Sequence, residues 1–200
     1  MRWYIRRNIF AINSMIVMEY DLSKYRGERP SYPMFVDGLA VYATRLFEIN
    51  SEYGVKMEKA ISQMDYKPPF DIQEARRRIK EGGYFIILEN GPEIIGWSWA
   101  AVNRVFFDDF NCFIKIKERC VFCYNLYIKK QYRGKRLNHI TLGELLYQFK
   151  NDGYEKTWVL VHKWNHGSLR SLHSMGWRIV GRYNFVKLMF LNFRFPPQGI

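Results

Sequence analysis

Apolar residues recur with two different periods along this chain, and the change of period predicts both strands and helices. The first twenty residues are rich in Ile, Tyr, Val and Phe, a composition that favours one or two strands. Asp37 is a capping residue type, and the helical spacing of the apolar positions behind it predicts a helix to about Tyr53. The apolar positions on one face of that helix are Leu39, Ala43, Leu46 and Phe47.

The middle of the chain carries local signals for a short helix and a hairpin. Asp71 followed by Glu74 has the pattern of a capping box, which predicts a helix that ends before a pair of glycines. Residues 84–99 contain two β-prone apolar runs on either side of an Asn-Gly turn, which is typical of a β-hairpin. Residues 103–111 include two acids and are predicted to form a loop.

The second half of the chain follows the order strand, helix, strand, helix, strand. Residues 119–128 predict a strand, and a helix follows it that Gly153 is placed to stop. Residues 157–162 and 178–190 predict two more strands around a short helix at 168–174. The apolar positions of the longer helix are Leu137, Ile140, Leu145 and Phe149. Because parallel strands need a crossover helix, the predicted fold class is α/β, with a mixed central β-sheet flanked by helices.

Length and composition are those of an ordinary globular protein. The 200 residues, 48% hydrophobic and 25% charged, fit one domain with its own core. The apolar runs are shorter than the roughly 20 residues of a membrane-spanning helix, and polar residues interrupt the N-terminal apolar stretch. We therefore expect neither a membrane span nor a secretory signal.

Three cysteines are too few for a disulfide framework. Cys120 and Cys123 are separated by an odd offset, which puts their side chains on opposite faces of a strand. No second pair and no nearby His supplies further metal ligands. We therefore predict buried free thiols, no metal, and a reducing, cytoplasmic compartment.

The net charge of +12 is unevenly distributed. Residues 113–136 contain eight Lys or Arg against one acid, Glu118, so that this segment alone carries +7. Such a field attracts nucleotides, phosphorylated sugars, nucleic acid, an acidic carrier protein or a membrane surface. A solvated basic face is the alternative, and charge alone does not decide between them.

The basic segment ends at a predicted junction between a strand and a helix. The strand at residues 124–128 leads into Gln131-Tyr-Arg-Gly-Lys-Arg, residues 131–136, which we call the basic loop. The free amides at the start of a helix, together with the helix dipole, favour a bound anion. The junction therefore predicts a phosphate site, with an ordinary basic turn as the alternative.

In its motifs and their order, this part of the chain resembles the GNAT-type N-acetyltransferase superfamily. The resemblance covers residues 84–190. The superfamily pattern Q/R-x-x-G-x-G/A, which opens the helix that holds the coenzyme A pyrophosphate, matches at Gln131 and Gly134. Arg136 departs from it, because a Gly or Ala is expected there. A side chain at this position either crowds the pyrophosphate or adds a charged contact to it.

Two further motifs follow in the superfamily order. Asn165 and Ser168 fit the pattern N-x-x-A/S, and Gly176 with Trp177 fits the G-F that ends the next helix. The resemblance implies acetyl-coenzyme A or another acyl-coenzyme A as co-substrate, with a strand segment that pairs with its pantetheine arm. The residues it assigns to this site are Leu126, Tyr127, Ile128, Gln131, Arg133, Gly134, Lys135, Arg136, Leu137, Asn138, Asn165 and Ser168.

The resemblance also implies a single acyl-coenzyme A N-acyltransferase (GNAT-like) domain over residues 1–200. Residues 84–190 would be its acyl-coenzyme A binding core. Residues 1–83 follow no superfamily pattern, and we expect them to supply the acceptor side.

Transfer of an acyl group from a thioester to an amine needs carbonyl polarisation and a proton for the leaving thiolate. The resemblance implies that an amide at a β-bulge of the central strand polarises the carbonyl, and that a tyrosine on the short helix is the acid. Leu172 stands at the position of that tyrosine, seven residues after Asn165. The remaining candidates are His162, Tyr124 and Glu118, of which His162 and Glu118 have surface roles as alternatives.

The predicted function is an acyl-coenzyme A dependent N-acyltransferase that acts on an amine of a small acceptor. The positive charge suggests an anionic acceptor, such as a nucleotide-linked or phosphorylated amino sugar, more than a cationic polyamine or aminoglycoside. One alternative is an acyltransferase that takes its acyl group from an acyl carrier protein, and another is a non-catalytic GNAT-like domain that binds a nucleotide or RNA. A nucleic-acid partner is not our main expectation, and the oligomeric state is left open.

Overall fold

The architecture is a mixed α/β fold built on one large sheet. The structure is a computed structural model, and it describes residues 10–28, 30–66, 68–107, 112–188 and 191–195. Its strands are β1 (Phe10–Asp21), β2 (Met34–Val36), β3 (Leu39–Leu46), β4 (Tyr84–Asn90), β5 (Glu93–Ala101), β6 (Arg104–Phe107), β7 (Cys112–Lys115), β8 (Cys120–Ile128), β9 (Lys156–His162), β10 (Arg178–Leu188) and β11 (Leu191–Phe195). Its α-helices are α1 (Ser51–Ser62), α2 (Ile72–Lys80), α3 (Leu137–Asn151) and α4 (His166–Ser174).

Nine strands form the main sheet, in the order β11-β10-β1-β9-β8-β5-β4-β3-β2, and β6 pairs with β7 separately. β8 and β9 are parallel, and the crossover between them contains α3. The predicted fold class is therefore confirmed. β1 lies between β9 and β10 and is antiparallel to both. A strand from the first 83 residues is thus placed inside the predicted coenzyme-binding core, so the division at residue 83 does not follow the sheet.

Helices cover one face of the sheet, and helices together with a hairpin cover the other. α3 and α4 pack side chains such as Phe149 and Leu172 against the first face. α1 and α2 bury Met57 and Ala75 against β4 and β5 on the second face. The β6–β7 hairpin covers the rest of the second face, where Phe122 of β8 and Trp158 of β9 lie. β8 is therefore enclosed on both faces near its middle.

Predictions that rest on capping and turn residues are confirmed. The side chain of Asp71 accepts a hydrogen bond from the backbone N–H of Glu74 (2.8 Å), which caps α2. Gly91 lies in the turn between β4 and β5 with φ +57°, and Gly153 follows α3 with φ +80°. Each of these signals acts between residues that are close in sequence.

The predicted helix from Asp37 is wrong. Residues 39–46 form β3, and Asp37 and Gly38 make the two-residue turn from β2, with φ of 45° and 78°. Positive φ at both central residues is what a tight hairpin turn requires, and Asp-Gly provides it readily. The apolar positions fit both periods, and Phe47, which was assigned to the apolar face, is 72% exposed. The helix of this region is α1, capped by Asn50.

The predicted loop at residues 103–111 is also wrong where the structure describes it. β6 and β7 form a hairpin in which the buried Val105 and Ile114 are opposite each other, and the exposed Phe106 and Phe113 are opposite each other. This alternation is the period of a strand with one buried face. Residues 108–111, which contain both acids of the segment, lie outside the described residues.

The three cysteines are free thiols, as predicted, and Cys112 and Cys123 are buried, whereas Cys120 is partly exposed. Cys123 packs in the cluster under α3, and Cys120 packs against the cluster under the β6–β7 hairpin, so they face opposite sides of β8. None of the helices in the described ranges is long and apolar enough to cross a membrane. The cellular compartment stays a prediction.

Candidate active site

The two parallel strands of the sheet separate towards their C-terminal ends. β8 and β9 pair from Cys120 with Lys156 as far as Cys123 with Val159. Beyond that point β8 continues along β5 and β9 continues along β1. The two strands therefore separate beyond Cys123 and Val159, and we call the gap between them the split. An unpaired strand edge can bind an extended chain through its backbone, but pantetheine pairing along Leu126, Tyr127 and Ile128 stays a prediction.

β8 contains a β-bulge beside the split. Trp99 of β5 pairs with Tyr124, whereas Trp97 pairs with Tyr127, so one residue of β5 faces two residues of β8. The extra residue lies at Asn125–Leu126, and Asn125 has φ +48°, a conformation that Asn tolerates better than most residues. A bulge removes backbone groups from the ladder and redirects them. The structure thus gives the position of the bulge that the resemblance implied.

The basic loop has an open backbone at the start of α3. Gly134 has φ +85°, and a Cβ added there would meet no atom within 4 Å. Arg136 is the N-cap of α3 in the left-handed region (φ 56°), and its side chain makes no capping hydrogen bond. The first amides of the helix therefore remain available to an anion. These features fit a pyrophosphate, and Gln131, Leu137 and Asn138 lie along the same turn.

Ion pairs fix the loop to the rest of the protein. Arg133 donates both Nη groups to the Asp65 carboxylate (2.9 Å each) and Nε to the Ile128 carbonyl (2.9 Å). This hydrogen bonding lowers the pKa of Asp65. Lys135 lies 3.6 Å from the carboxylate of Asp37. Of the three basic residues in this loop, only Arg136 has no ion pair among the described residues. Arg133 connects the loop to the linker between α1 and α2.

The N-terminus of α4 also lies beside the split. Asn165 is its N-cap, and its Oδ1 accepts a hydrogen bond from the amide of Ser168 (3.1 Å). Asn138 donates to Ser171 Oγ (2.5 Å), which ties the start of α3 to α4. Leu172 is buried in the core under these helices. The position of the usual tyrosine is therefore filled by an apolar packing residue.

Tyr124 and His162 are the two candidate proton carriers that the structure brings to the site. Tyr124 is adjacent to the bulge, and burial raises its pKa to about 12, so its hydroxyl is protonated near neutral pH and can donate. His162 ends β9 and its ring stacks on Trp164, with 5.1 Å between ring centres. Alternation along β9 puts His162 on the same face as Leu160, which is the face that Tyr124 packs on.

Glu118 is not at this site. It is exposed in the turn before β8, seven residues before the bulge at Asn125, which is about 20 Å at about 3.3 Å per residue. Its assignment as a proton relay is therefore not supported. The +7 segment is divided in the same way, because Lys115 and Lys117 lie at one end of β8 and the basic loop lies at the other.

A cavity of about 260 Å³ lies on the opposite side of Tyr124 from the basic loop. Tyr124 forms part of its wall, with Arg77 and Arg78 of α2 and Arg104 of β6. The acid Glu81 also lines the cavity, and Gly83, residues 101–106 and Phe113 complete the lining. We call this space the arginine cavity.

Arg78 is the most buried cation of the arginine cavity, since its side chain is only 10% exposed. Its Nε donates to Glu74 (2.8 Å), and its guanidinium carbon lies 5.2 Å from the ring centre of Tyr124 and 5.5 Å from that of Trp99. Its Nη1 is buried without a hydrogen-bond acceptor among the described residues. Leaving such a donor unpaired costs about 1–3 kcal/mol.

Sequence analysis did not identify Arg78. The available signal was its spacing on α2, because Ile72 and Ala75 precede it at intervals of three and are buried. Within a run of three arginines, this position is the one that follows the apolar stripe. The run itself is typical of a solvated helix face, which masked the signal.

The geometry and the sequence agree on a family. Residues 45–177 match the acetyltransferase (GNAT) family, which is well over half of the chain. The protein therefore belongs to the GNAT acetyltransferase family.

Solved structures share the fold at low sequence identity. A GCN5-related N-acetyltransferase from Sphaerobacter thermophilus is 12% identical with a TM-score of 0.57, over 94% of this chain and 56% of its own. A tandem GNAT protein from the clavulanic acid biosynthesis pathway is also 12% identical, with a TM-score of 0.59, over 94% and 55%. The glucosamine N-acetyltransferase region of a fungal multi-domain β-N-acetylglucosaminidase is 12% identical, with a TM-score of 0.61. This match covers 96% of this chain and 22% of that one.

These similarities show the fold and leave the substrate open. The chain spans a little over half the length of the first structures that it matches. No curated protein sequence matches it.

Proposed function

We propose that this protein is an acetyl-coenzyme A dependent N-acetyltransferase that acts on a primary amine of a small anionic acceptor. The observation that carries the proposal is the position of the split, which opens between β8 and β9 next to the basic loop and the N-terminus of α3. An extended acyl-carrying arm and its terminal phosphates need these two features side by side.

The residues present fit coenzyme A. The pyrophosphate would bind the amides at Gly134 and Leu137, where a left-handed Gly and Arg136 leave the backbone open. The edge of β8 at Leu126 and Tyr127 would pair with the pantetheine arm, and Asn165 would lie beside it. When bound, the coenzyme supplies an acyl group that is activated as a thioester.

The chemistry is acyl transfer to nitrogen. The neutral amine of the acceptor attacks the thioester carbonyl carbon, the C–N bond forms, the C–S bond breaks, the amine loses one proton and the thiolate gains one. Backbone N–H groups at the Asn125–Leu126 bulge are suited to stabilise the developing negative charge on the carbonyl oxygen. A fixed backbone amide does this without reorganisation during the reaction.

Proton transfer is assigned to Tyr124 and His162. Tyr124 has a protonated hydroxyl near neutral pH, because burial raises its pKa to about 12. The imidazole of His162 has a ring nitrogen that can accept the amine proton. This pair replaces the tyrosine that is absent at Leu172.

The acyl donor is the first point to test. Calorimetry with acetyl-coenzyme A and a thermal-shift panel of longer acyl-coenzyme A species and acyl carrier protein separate the alternatives, because a ligand of the folded state raises the melting temperature. Absence of binding at millimolar acyl-coenzyme A rejects the proposal.

An acyl carrier protein is the second candidate donor. It is favoured by two observations, that Arg133 is occupied by Asp65 and that Arg136 occupies the position of a small residue. Stabilisation by acyl carrier protein without stabilisation by acyl-coenzyme A supports this alternative. If neither donor binds and RNA binds with a steep salt dependence, the domain is non-catalytic.

A further inference from the structure

We propose that the arginine cavity is the subsite that holds the anionic group of the acceptor, a carboxylate or a phosphate on a small primary amine. This inference rests on the proposed function, because it assigns the acceptor of that reaction. It names the side chains that recognise the acceptor and limits its size.

Arg78 provides the main reason. Its guanidinium is fixed by Glu74 and by the rings of Phe70, Trp99 and Tyr124, within 5.2–5.5 Å of each ring centre. Its Nη1 has no acceptor among the described residues. Its Nη2 donates to the Pro69 carbonyl (3.4 Å), and the Arg78 side chain forms part of the cavity wall. A guanidinium that is held in place at a cavity wall, with one nitrogen lacking an acceptor, is complementary to an oxyanion.

The charges around the cavity leave a cation in excess. Arg77 is paired with Glu74 and Glu81 (2.8 and 2.5 Å), and Glu74 also pairs with Arg78. With Arg104, the group consists of three arginines (Arg77, Arg78 and Arg104) and two glutamates (Glu74 and Glu81), and its net charge is +1. Arg104 lies at the exposed side of the cavity, 5.0 Å over the Phe113 ring, and can contact the same anion.

Tyr124 connects the cavity to the reaction centre. Its ring is in the cavity wall next to Arg78, and its backbone is adjacent to the bulge at Asn125. An acceptor whose anion contacts Arg78 therefore extends past the Tyr124 ring towards the thioester carbonyl. The acyl donor reaches the same point from the basic loop, so the two substrates approach from opposite ends of β8.

The volume of the cavity limits the acceptor. Sites for drug-sized ligands are about 300–1,000 Å³, whereas this cavity measures about 260 Å³. An amino acid or an amino-sugar monophosphate matches this size. A nucleotide-linked amino sugar is larger than the cavity, and its nucleotide would lie outside, on the side that is open to solvent.

The test uses pairs of amines that differ in one anionic group. Acetyl transfer is measured by release of coenzyme A thiol, with glucosamine 6-phosphate against glucosamine and with β-alanine against β-alaninamide. The first pair tests a phosphate and the second a carboxylate. We expect kcat/KM for at least one anionic member to exceed that of its neutral partner by about tenfold or more, the effect of one charge-assisted hydrogen bond.

Variants assign the effect to the cavity. Arg78→Gln should remove the preference for the anionic amine, while Arg104→Gln should reduce it by about two- to fivefold, because an exposed charge is screened. Lys80→Gln is the matched control, since Lys80 is an exposed cation on the same helix outside the cavity. If Arg78→Gln does not fold, Arg104→Gln on the exposed rim tests the proposal in its place, and an unchanged preference for the anionic amine in that variant overturns it.

Binding measurements separate this inference from the proposed function. Equal kcat/KM within both pairs, or no binding or turnover of either anionic amine in protein that binds acetyl-coenzyme A, overturns the subsite and leaves the proposed donor intact. If acetyl-coenzyme A fails to bind but an anionic amine binds in an Arg78- or Arg104-dependent way, the subsite stands and the proposed function fails. If Arg78→Gln and Arg104→Gln lower kcat/KM equally for the anionic and the neutral amines, the proposed subsite is also overturned.

Discussion

The two halves of the candidate site, one towards each end of β8, are built from different kinds of groups. On the proposed acyl-donor side the groups are backbone groups, at the Asn125 bulge, at Gly134 and at the first turn of α3. On the proposed acceptor side they are side chains from separate segments, Arg78 and Arg104 around Tyr124. A backbone site depends on conformation and tolerates side-chain change, whereas a side-chain site defines which molecule binds. We infer that the first half is generic for the family and the second half is particular to this protein.

The largest expected effect lies where the halves meet. His162→Ala should lower kcat by at least about tenfold, since loss of a general acid or base costs about 10²- to 10⁴-fold. KM for the acyl donor should change little, because His162 is not part of the basic loop. The measurement is steady-state kinetics across the neutral pH range.

The exposed His173→Ala on α4 is the matched control and should be silent. If kcat of His162→Ala equals that of the wild type across the neutral pH range, His162 is structural. Tyr124→Phe must then produce the loss, and if it does not, catalysis rests on positioning and the bulge amides alone.

The next effect tests the backbone half. A Cβ at Gly96 would lie 2.7 Å from the carbonyl oxygen of Tyr127 and from Ile128 Cδ1, so Gly96→Val must displace β8 at the donor edge. We expect binding of acetyl-coenzyme A to weaken by about tenfold or more and stability to fall by about 1–3 kcal/mol. Calorimetry and chemical denaturation measure the two.

Gly143→Ala on α3 is the control for this substitution. A Cβ there meets no atom within 4 Å, so the protein should gain about 0.5–1 kcal/mol and keep its donor affinity. Unchanged donor affinity in folded Gly96→Val would show that the position of this strand edge does not matter.

A smaller effect is expected from the ion pair between Arg133 and Asp65. Asp65→Asn removes the bidentate partner of Arg133 and should weaken donor binding by about two- to fivefold, the range for an exposed ion pair. Because Arg133 holds the pKa of Asp65 below its usual value of 3.8, the tie is present above that pH and is lost as the pH falls through the lowered pKa. Wild type and variant should therefore converge in acid.

Asp37→Asn, which removes a longer contact to Lys135 (3.6 Å), is the comparison for Asp65→Asn and should have a smaller effect. Tighter donor binding by Asp65→Asn would mean that Arg133, once released, contacts the pyrophosphate itself.

The smallest effect is on stability. Arg136 is left-handed at φ 56°, where a side chain costs roughly 1–2 kcal/mol and Gly does not. Part of this gain is lost because an unfolded Gly has greater conformational entropy. Arg136→Gly should therefore raise the free energy of unfolding by about 0.5–1 kcal/mol. For a chain of this length, each kcal/mol raises Tm by about 2–4 °C. Lys130→Gly, without positive φ, should lose stability instead.

Donor affinity of Arg136→Gly gives a second, separate result. Weaker binding together with higher stability would show that Arg136 contacts the pyrophosphate, and unchanged affinity would assign the contact to the amides alone. A fall in stability would contradict the strain at this position.

The sequence by itself determined the elements whose signals are local. The cap at Asp71, the turn at Gly91, the basic loop and the order β8, α3, β9, α4, β10 depend on residues within a few positions of one another, so they were predicted correctly. The helix assigned from Asp37 failed on a local signal as well, because the apolar spacing fits two periods and the Asp-Gly hairpin turn was given too little weight.

Only the tertiary structure decided the features that join distant segments. β1 pairs with β9 and β10 more than 130 residues away. The bulge at Asn125 is defined by its register against β5, and Glu118 lies in the turn before β8, separated from that bulge by the first half of the strand. In the sequence, Arg78 is one of three consecutive arginines, a pattern typical of a solvated helix face. In the structure, α2 packs it against Trp99 and Tyr124. Pairing and burial arise from contacts between segments, and no spacing within one segment encodes which partner it will meet.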